Sequence, residues 1–140
     1  MRKGFSLLTA LIFLVIIATI SAISISLSTQ SVKQTGDIYL KNQAELLLRS
    51  GTEYAMLAIS GHNYTVNCLN DINMTYNNMF DINVTIYYIG NGLPSGCNVL
   101  DGNISTDDSN RTVIIDTFVS TKPNITTEPI RLHRRTIQKP

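Results

Sequence analysis

The sequence predicts an α+β protein in which one long N-terminal helix packs on a small antiparallel sheet of three or four strands. Two observations support this prediction. An uncharged apolar run near the N-terminus continues into helical periodicity up to about residue 60. Residues 61–140 are instead rich in Asn, Thr, Asp, Ile and Tyr, a composition that suits strands and turns. The chain of 140 residues has room for one modest domain.

The apolar run extends from Phe5 to Val32 without a charged residue. At about 1.5 Å of rise per residue, these 28 residues would form a helix of about 42 Å. A bilayer has a hydrocarbon core of about 30 Å. We therefore predict that residues 5–28 span a membrane.

Beyond the apolar run, the helix is predicted to be amphipathic and to end near Ser60, before Gly61. Apolar residues recur at steps of roughly three and four at Val32, Tyr39, Leu46, Leu47, Tyr54 and Leu57. A second stripe is rich in small residues and consists of Leu40, Ala44, Leu47, Gly51, Ala55 and Ala58. We expect this second stripe to let another layer approach the helix backbone closely.

Three runs are predicted to be strands, and they cover residues 81–89, 112–121 and 129–138. Residues 122–127 are predicted to form the hairpin connection between the last two strands. A short fourth strand is predicted near residues 64–69. Residues 90–109 contain several glycines and one proline, so we expect a long loop there.

The two cysteines, Cys68 and Cys97, lie downstream of the apolar run, where the chain would be extracytoplasmic if the basic N-terminus stays inside. A disulfide between them is the natural expectation, with free thiols as the alternative. Closing this loop would contribute roughly 3 to 4 kcal/mol by the chain-entropy estimate.

The residues around Gly4 resemble the class III leader of type IV pilins and type II secretion pseudopilins. Arg2, Lys3 and Gly4 precede Phe5 and an apolar stretch. The resemblance covers about the first 60 residues and the general order of helix and sheet. It implies cleavage after Gly4 by a prepilin peptidase and N-methylation of Phe5. Residues 1–4 would then be the leader peptide, 5–60 the helix and 61–140 an extracytoplasmic β domain.

One position departs from the family pattern. Most members carry a glutamate as the fifth mature residue, and its carboxylate pairs in the membrane with the N-terminal amine of a neighbouring subunit. That position is Thr9 here, which cannot form the ion pair. In the family, absence of the glutamate is associated with a larger minor pseudopilin that caps the filament tip. Thr9 therefore marks either a tip or initiator subunit or an atypical subunit that polymerises weakly.

The expected function is that of a minor pilin or pseudopilin, a non-catalytic structural subunit of a type IV pilus or type II secretion pseudopilus. The resemblance implies a single-pass protein of the bacterial inner membrane with a periplasmic C-terminal domain. Its partners would be other pilin subunits, the prepilin peptidase and the inner membrane. The alternatives are a plain signal anchor, or a secreted protein whose signal is cut near Ala22.

Six asparagines are followed by Ser or Thr two residues later. Four of them also carry Asp two residues earlier, and these are Asn73, Asn83, Asn103 and Asn110; the shorter pattern alone is found at Asn63 and Asn124. The longer pattern is similar to the extended acceptor of bacterial oligosaccharyltransferases. It predicts N-glycosylation of the four, with Asn103 and Asn110 most accessible in the long loop. The alternative is a composition typical of turns.

The same loop places oxygen ligands at alternate positions, as calcium loops do, at Asp101, Asn103, Ser105 and Asp107. It lacks the glycine expected at the sixth position, which is Thr106, and the glutamate expected at the twelfth, which is Thr112. We therefore favour a solvated acidic loop over a calcium site and expect no cofactor.

No enzyme signature is present in the sequence. His62 and His133 have no cysteine or histidine neighbours at metal-ligand spacing, and the glycines form no phosphate-binding loop. Removing Arg2 and Lys3 with the leader would change the formal charge from +1 to −1, which argues against a general polyanion binder.

The C-terminal basic residues are Arg131, His133, Arg134, Arg135 and Lys139. We expect them to protect an edge strand or to pair it with another subunit, rather than to contact DNA. A competence-type minor pilin that contacts DNA through Arg134 and Arg135 is the alternative.

Overall fold

The computed structural model describes residues 3–64, 66–104, 106, 111–126 and 128–140, with the backbone alone for residues 3–6. Its elements are the helix α1 (Lys3–Gly61) and the strands β1 (Asp71–Tyr76), β2 (Phe80–Ile89), β3 (Val99–Asp101), β4 (Thr112–Thr121) and β5 (Arg131–Gln138). The chain forms two compact units, Met1–Tyr39 and Leu40–Pro140. The predicted α+β arrangement, a long apolar helix packed on a small sheet, is confirmed.

The first unit consists of the N-terminal part of α1. Its large apolar side chains between Leu7 and Val32 are all 47–70% exposed. Hydroxyl groups in this segment bond within the helix: Ser21 Oγ donates to Ile17 O at 2.8 Å, and Ser24 Oγ donates to Ile20 O at 3.0 Å. Such bonds satisfy a hydroxyl without water, so these residues are compatible with an apolar surrounding.

The second unit holds the sheet, whose main strand order is β1-β2-β4-β5. All neighbours in this order are antiparallel, and β3 adds a short parallel pairing to β2 at Tyr88 and Ile89. Alternation along β2 buries Phe80, Ile82, Val84, Ile86 and Tyr88 toward the helix. The residues between them belong to the opposite face, which we call the outer face.

The core lies between the C-terminal part of α1 and the helix-facing side of the sheet. Ala44, Leu48, Ala55 and Ile59 are buried on α1. The sheet contributes Phe80, Ile82, Val84, Ile86, Tyr88, Val113, Ile115 and Val119. Burying a large apolar side chain of this kind stabilises the fold by about 1.5 to 3 kcal/mol. The predicted small-residue stripe is therefore the face that packs on the sheet.

Gly51 lies where α1 comes close to the sheet. A Cβ built on Gly51 would lie 3.1 Å from Ile82 Cγ2 and 3.2 Å from Thr117 Cγ2. Beside it, Thr52 Oγ1 donates to Leu48 O at 3.0 Å and lies 3.0 Å from Thr117 Oγ1. Because the single Thr52 proton is used within the helix, Thr117 donates to Thr52. The helix and the sheet are thus joined by a buried hydrogen bond.

The strand predictions are correct at the centre of the sheet and wrong at its edge. Residues 64–69 form no strand in the part described, and the first strand is instead β1, at Asp71–Tyr76. The predicted long loop contains β3, so the sheet has five strands rather than three or four. The last strand begins at Arg131, two residues later than predicted.

Candidate assembly surfaces

The predicted processing boundary lies at the beginning of α1. The helix begins at Lys3, so Gly4 and Phe5 belong to it, although their side chains lie outside the described residues. Thr9 is a half-buried residue one turn further along the same helix. This helix is long and apolar enough to cross a membrane, and it is the one such helix in the part of the chain that is described. It is therefore compatible with a single-pass membrane anchor.

The apolar stripe of the second unit's helix does not pack on the sheet. Leu46, Tyr54 and Leu57 are 63%, 51% and 70% exposed, while Leu47, from the same predicted stripe, is half-buried. The sequence predicted both stripes of the helix and expected the small-residue stripe to let another layer approach, and this is the stripe that the sheet covers. The small-residue stripe packs on the sheet because Gly51 lets β2 and β4 come close.

The outer face of the sheet carries a charged cluster that the sequence did not reveal. Asp116 is 3% exposed, although it points to the outer face. Arg135 Nε donates to Asp116 Oδ1 at 2.7 Å, and Arg135 Nη2 donates to the other carboxylate oxygen. His133 Nε2 lies 3.2 Å from Asp116 Oδ1, and its ring stacks on that of Phe118 with centroids 4.3 Å apart.

Contacts on Asp116 determine its ionisation. The hydrogen bonds from Arg135 lower the pKa of the Asp116 carboxyl, burial opposes this, and His133 lowers it further. Asp116 thereby neutralises Arg135 at neutral pH. Arg134 belongs to the opposite side of β5, where it lines a groove with Arg49 and Glu53. The five basic residues of the C-terminal segment therefore do not form one continuous cationic surface.

Cys68 and Cys97 form a disulfide, as the sequence predicted. The bridge ties the segment before β1 to the segment before β3. Asn70 reinforces this tie, because its Nδ2 donates to Gly96 O at 2.7 Å and its Oδ1 accepts from Asn98 N at 3.0 Å. These two bonds satisfy backbone groups of Gly96 and Asn98 on either side of Cys97.

Two of the four extended acceptor motifs lie side by side in the sheet. Asn73 is the cross-strand partner of Asn83, Asp71 of Thr85, and Asp81 of Thr75. Thr75 Oγ1 donates to Asp81 Oδ1 at 3.1 Å. The motifs are thus copies of one pattern, Asp-Ile-Asn-x-Thr, paired across a hairpin. This internal repeat was missed in the sequence, and it gives two of the four motifs a structural explanation.

The remaining motifs belong to the long loop. Asn103 is exposed, and its backbone N–H donates to Asp101 Oδ1 at 2.9 Å. Asn110 lies outside the described residues, as do Ser105 and Asp107 of the considered calcium loop. Among the described residues, no three His, Cys, Asp or Glu side chains are grouped to hold a metal ion. Glycosylation therefore stays a prediction, and Asn73 and Asn83 are exposed as Asn103 is.

A cleft of about 500 Å³ lies beside the end of the helix, lined by His62, Tyr64, Tyr88 and Arg111 among others. Both tyrosine hydroxyls donate to backbone carbonyls: Tyr64 to Ile59 O at 3.1 Å and Tyr88 to Leu69 O at 2.6 Å. Burial raises the pKa of both tyrosines, so both stay protonated at neutral pH. The two rings meet edge to face with their centroids 5.8 Å apart, and this contact connects the segment after the helix to β2.

Comparison with protein-family models, with curated proteins and with solved structures found no match to this chain.

Proposed function

We propose that this chain is a minor pilin or pseudopilin, a structural subunit that assembles from the inner membrane into a type IV pilus or a type II secretion pseudopilus. The observation that carries the proposal is the long apolar helix that begins at a short basic leader. Between Leu7 and Val32 every large apolar side chain is exposed within the chain. Such a surface needs lipid or other helices around it.

Assembly would exchange one apolar surrounding for another. In the membrane, the N-terminal part of α1 contacts lipid, and in a filament the same side chains would contact helices of neighbouring subunits. Lipid tails are as apolar as Leu, so this step depends on packing and on internally bonded polar groups. The hydroxyl bonds of Ser21 and Ser24 support the proposal, because each hydroxyl donates to a carbonyl of its own helix and so needs no water.

The sheet unit is suited to a position outside the membrane. It has a compact core, an intact disulfide and a polar outer hairpin around Asn73 and Asn83. Disulfides persist in oxidising compartments, which include the bacterial periplasm. These features support a periplasmic location of residues 61–140 after insertion.

DNA contact receives less support as a second function. Arg135 is engaged by Asp116, and Arg134 lies on the other side of the strand. Non-specific DNA binding depends on several cations that face the same backbone. We therefore retain structural assembly as the proposal.

Cleavage at the leader tests this function. We expect Gly4→Ala to retain the leader in cells that express a prepilin peptidase, which slows electrophoretic migration. N-terminal sequencing of the wild-type chain should give methylated Phe5. Gly36→Ala is the matched control, because it changes a glycine of the same helix with no atom within 4 Å of the added Cβ. Unchanged migration of Gly4→Ala, an N-terminus at Met1, or one near Ile23 would overturn the proposal.

A further inference from the structure

The two free edges of the sheet carry opposite charges. The strand β5 holds Arg131, His133, Arg134 and Arg135 and no acidic residue. At the other edge, β1 contains Asp71 and no basic residue. The short strand β3, which also pairs with β2, contains Asp101. Asp71, Asp101 and Arg131 are exposed, and Asp71 and Arg131 form no ion pair with another described residue.

Both edges also present unpaired backbone groups. Thr121 N donates to Ile130 O, and the antiparallel alternation then directs the N–H and C=O groups of residues 131, 133, 135 and 137 away from β4. At the other edge, Ile86 N donates to Asn70 O. By the same alternation, the N–H and C=O groups of residues 71, 73 and 75 point away from β2. Within the described chain, both rows face open edges of the sheet.

We propose that β5 of one copy pairs with β1 of a second copy of this chain, and that opposite charge on the two edges selects this pairing. The inference rests on the proposed function, since an assembling subunit needs contacts between different surfaces. Asp116 offsets one of the three arginines of β5, so this edge keeps a net positive charge. Two β5 edges would therefore repel each other, as would two β1 edges. The pairing is therefore head-to-tail, which generates an open array rather than a closed dimer.

The geometry of the sheet agrees with this arrangement. In the order β1-β2-β4-β5 each strand is antiparallel to its neighbour, so β1 of a second copy would continue the alternation beside β5. The residues that present free backbone groups at both edges have their side chains on the outer face. The outer faces of the two copies would therefore be continuous, with both helices on the other side.

One register pairs all the free backbone groups of β1. It places Asp71 of the second copy opposite Arg135, Asn73 opposite His133, and Thr75 opposite Arg131. The Arg135 guanidinium, whose side chain is 62% exposed, would then lie between Asp116 of its own sheet and Asp71 of the second copy. Strand addition of this kind supplies backbone hydrogen bonds, while the charges determine which two edges pair.

Cysteine cross-linking in cells tests the pairing. Chains carrying Asn73→Cys alone and chains carrying His133→Cys alone are co-expressed with different tags. The proposed register brings these two positions within disulfide distance. We expect a cross-linked species between the two differently tagged chains, with the bridge mapped to residues 73 and 133 by mass spectrometry. Neither variant expressed alone should cross-link to itself.

Charge reversal is the second test of the proposed pairing. Asp71→Arg in the chain with Asn73→Cys should reduce the cross-linked yield about two- to fivefold, as for a screened surface ion pair turned into repulsion. Asp37→Arg, which changes an acidic residue of α1, is the control and should leave the yield unchanged. Equal yields for both reversals would overturn the electrostatic selection.

The outcomes separate this inference from the proposed function. Methylated Phe5 and filaments containing the chain, without a cross-link between residues 73 and 133, would overturn the edge pairing and leave the pilin proposal intact. A 73–133 cross-link in chains that keep Met1 would support the pairing and overturn the pilin proposal. Cross-links of either single variant to itself would overturn the head-to-tail arrangement.

Discussion

At the scale of single residues, Asp116 couples two strands through charged contacts. It is the one charged side chain among the described residues that is buried. A buried carboxylate is costly unless it is paired and hydrogen-bonded. Arg135 and His133, both on the edge strand β5, supply these partners from the strand next to its own. Asp116 therefore fixes the register of β5 on β4.

Asp116→Asn should destabilise the sheet unit. The amide keeps the size of the side chain but removes the charge that Arg135 pairs with, so we expect a loss of about 1 to 3 kcal/mol. Urea unfolding of the full chain in detergent, followed by tyrosine fluorescence, would measure it. Asp81→Asn is the matched control, because the Asp81 side chain is 42% exposed and its oxygen lies 3.7 Å from Lys122 Nζ, in a contact that solvent screens. Equal losses for the two variants would contradict the role of Asp116.

The same variants give the pH dependence of this contribution. In the folded state the pKa of Asp116 lies below its ordinary value of 3.8. Between these two pH values the folded chain therefore binds fewer protons at this group than the unfolded chain does. Its stabilisation is therefore complete above the unfolded value and is lost as the pH falls through the folded value. The difference between wild type and Asp116→Asn should shrink from about pH 5 to about pH 3. A stability difference that stays constant over this pH range would contradict the lowered pKa of Asp116.

At the scale of elements, the contact of α1 with the sheet depends on Gly51. The Cβ that an alanine would add has Ile82 Cγ2 and Thr117 Cγ2 at 3.1 and 3.2 Å. Both neighbours are buried and β-branched, so neither side chain can rotate away easily. Overpacking of this kind costs about 1 to 3 kcal/mol, against a gain of about 1 kcal/mol in helix propensity.

Gly51→Ala should therefore lower the thermal unfolding temperature of the sheet unit, by several degrees for a net loss of about 1 kcal/mol. Gly36→Ala is the control, because its added Cβ meets no atom within 4 Å. We expect that variant to leave the unfolding temperature unchanged or to raise it. Circular dichroism of both variants in detergent would measure the shifts. Shifts of the same sign and size would show that Gly51 is merely tolerated.

Several elements of the fold were predicted correctly from the sequence. The strand β4 was predicted at residues 112–121 and has those bounds, because its β-branched run alternates between a buried and an outer face. The strand β2 was placed to within one residue for the same reason. The long helix was predicted because its apolar segment and its amphipathic segment follow each other without a break.

The errors lie where pairing rather than composition decides the structure. The strand β1 contains Asp71 and Asn73, residue types that strands disfavour, and it forms because β2 offers a matching copy of the same motif. The short β3 pairs with β2 next to the disulfide of Cys97. Asp116 was not selected as a functional residue, because its partners Arg135 and His133 are distant in sequence and meet it through strand register.

At the scale of the whole molecule, Thr9 bears on the place that the proposed pilin subunit would take in a filament. A carboxylate inside a membrane costs about 2.5 to 3.5 kcal/mol at the bilayer centre, so it is maintained where it has a partner. A shaft subunit would find that partner in the N-terminal amine of the subunit ahead. A subunit at the tip has none ahead of it. Thr9 avoids this cost, as expected of a tip or initiator subunit, whereas in an atypical shaft subunit it would leave the ion pair unmade.

Thr9→Glu distinguishes that role from an ordinary place in the shaft. For a tip subunit we expect the new carboxylate to stay unpaired, so the variant should enter purified filaments no more often than the wild type. Quantitative immunoblotting of filaments, with immunogold labelling of their ends, would measure this. Thr9→Gln is the matched control, because it adds similar volume without charge. A rise in copy number along the shaft for Thr9→Glu alone would show that the subunit belongs there and lacks only its ion pair.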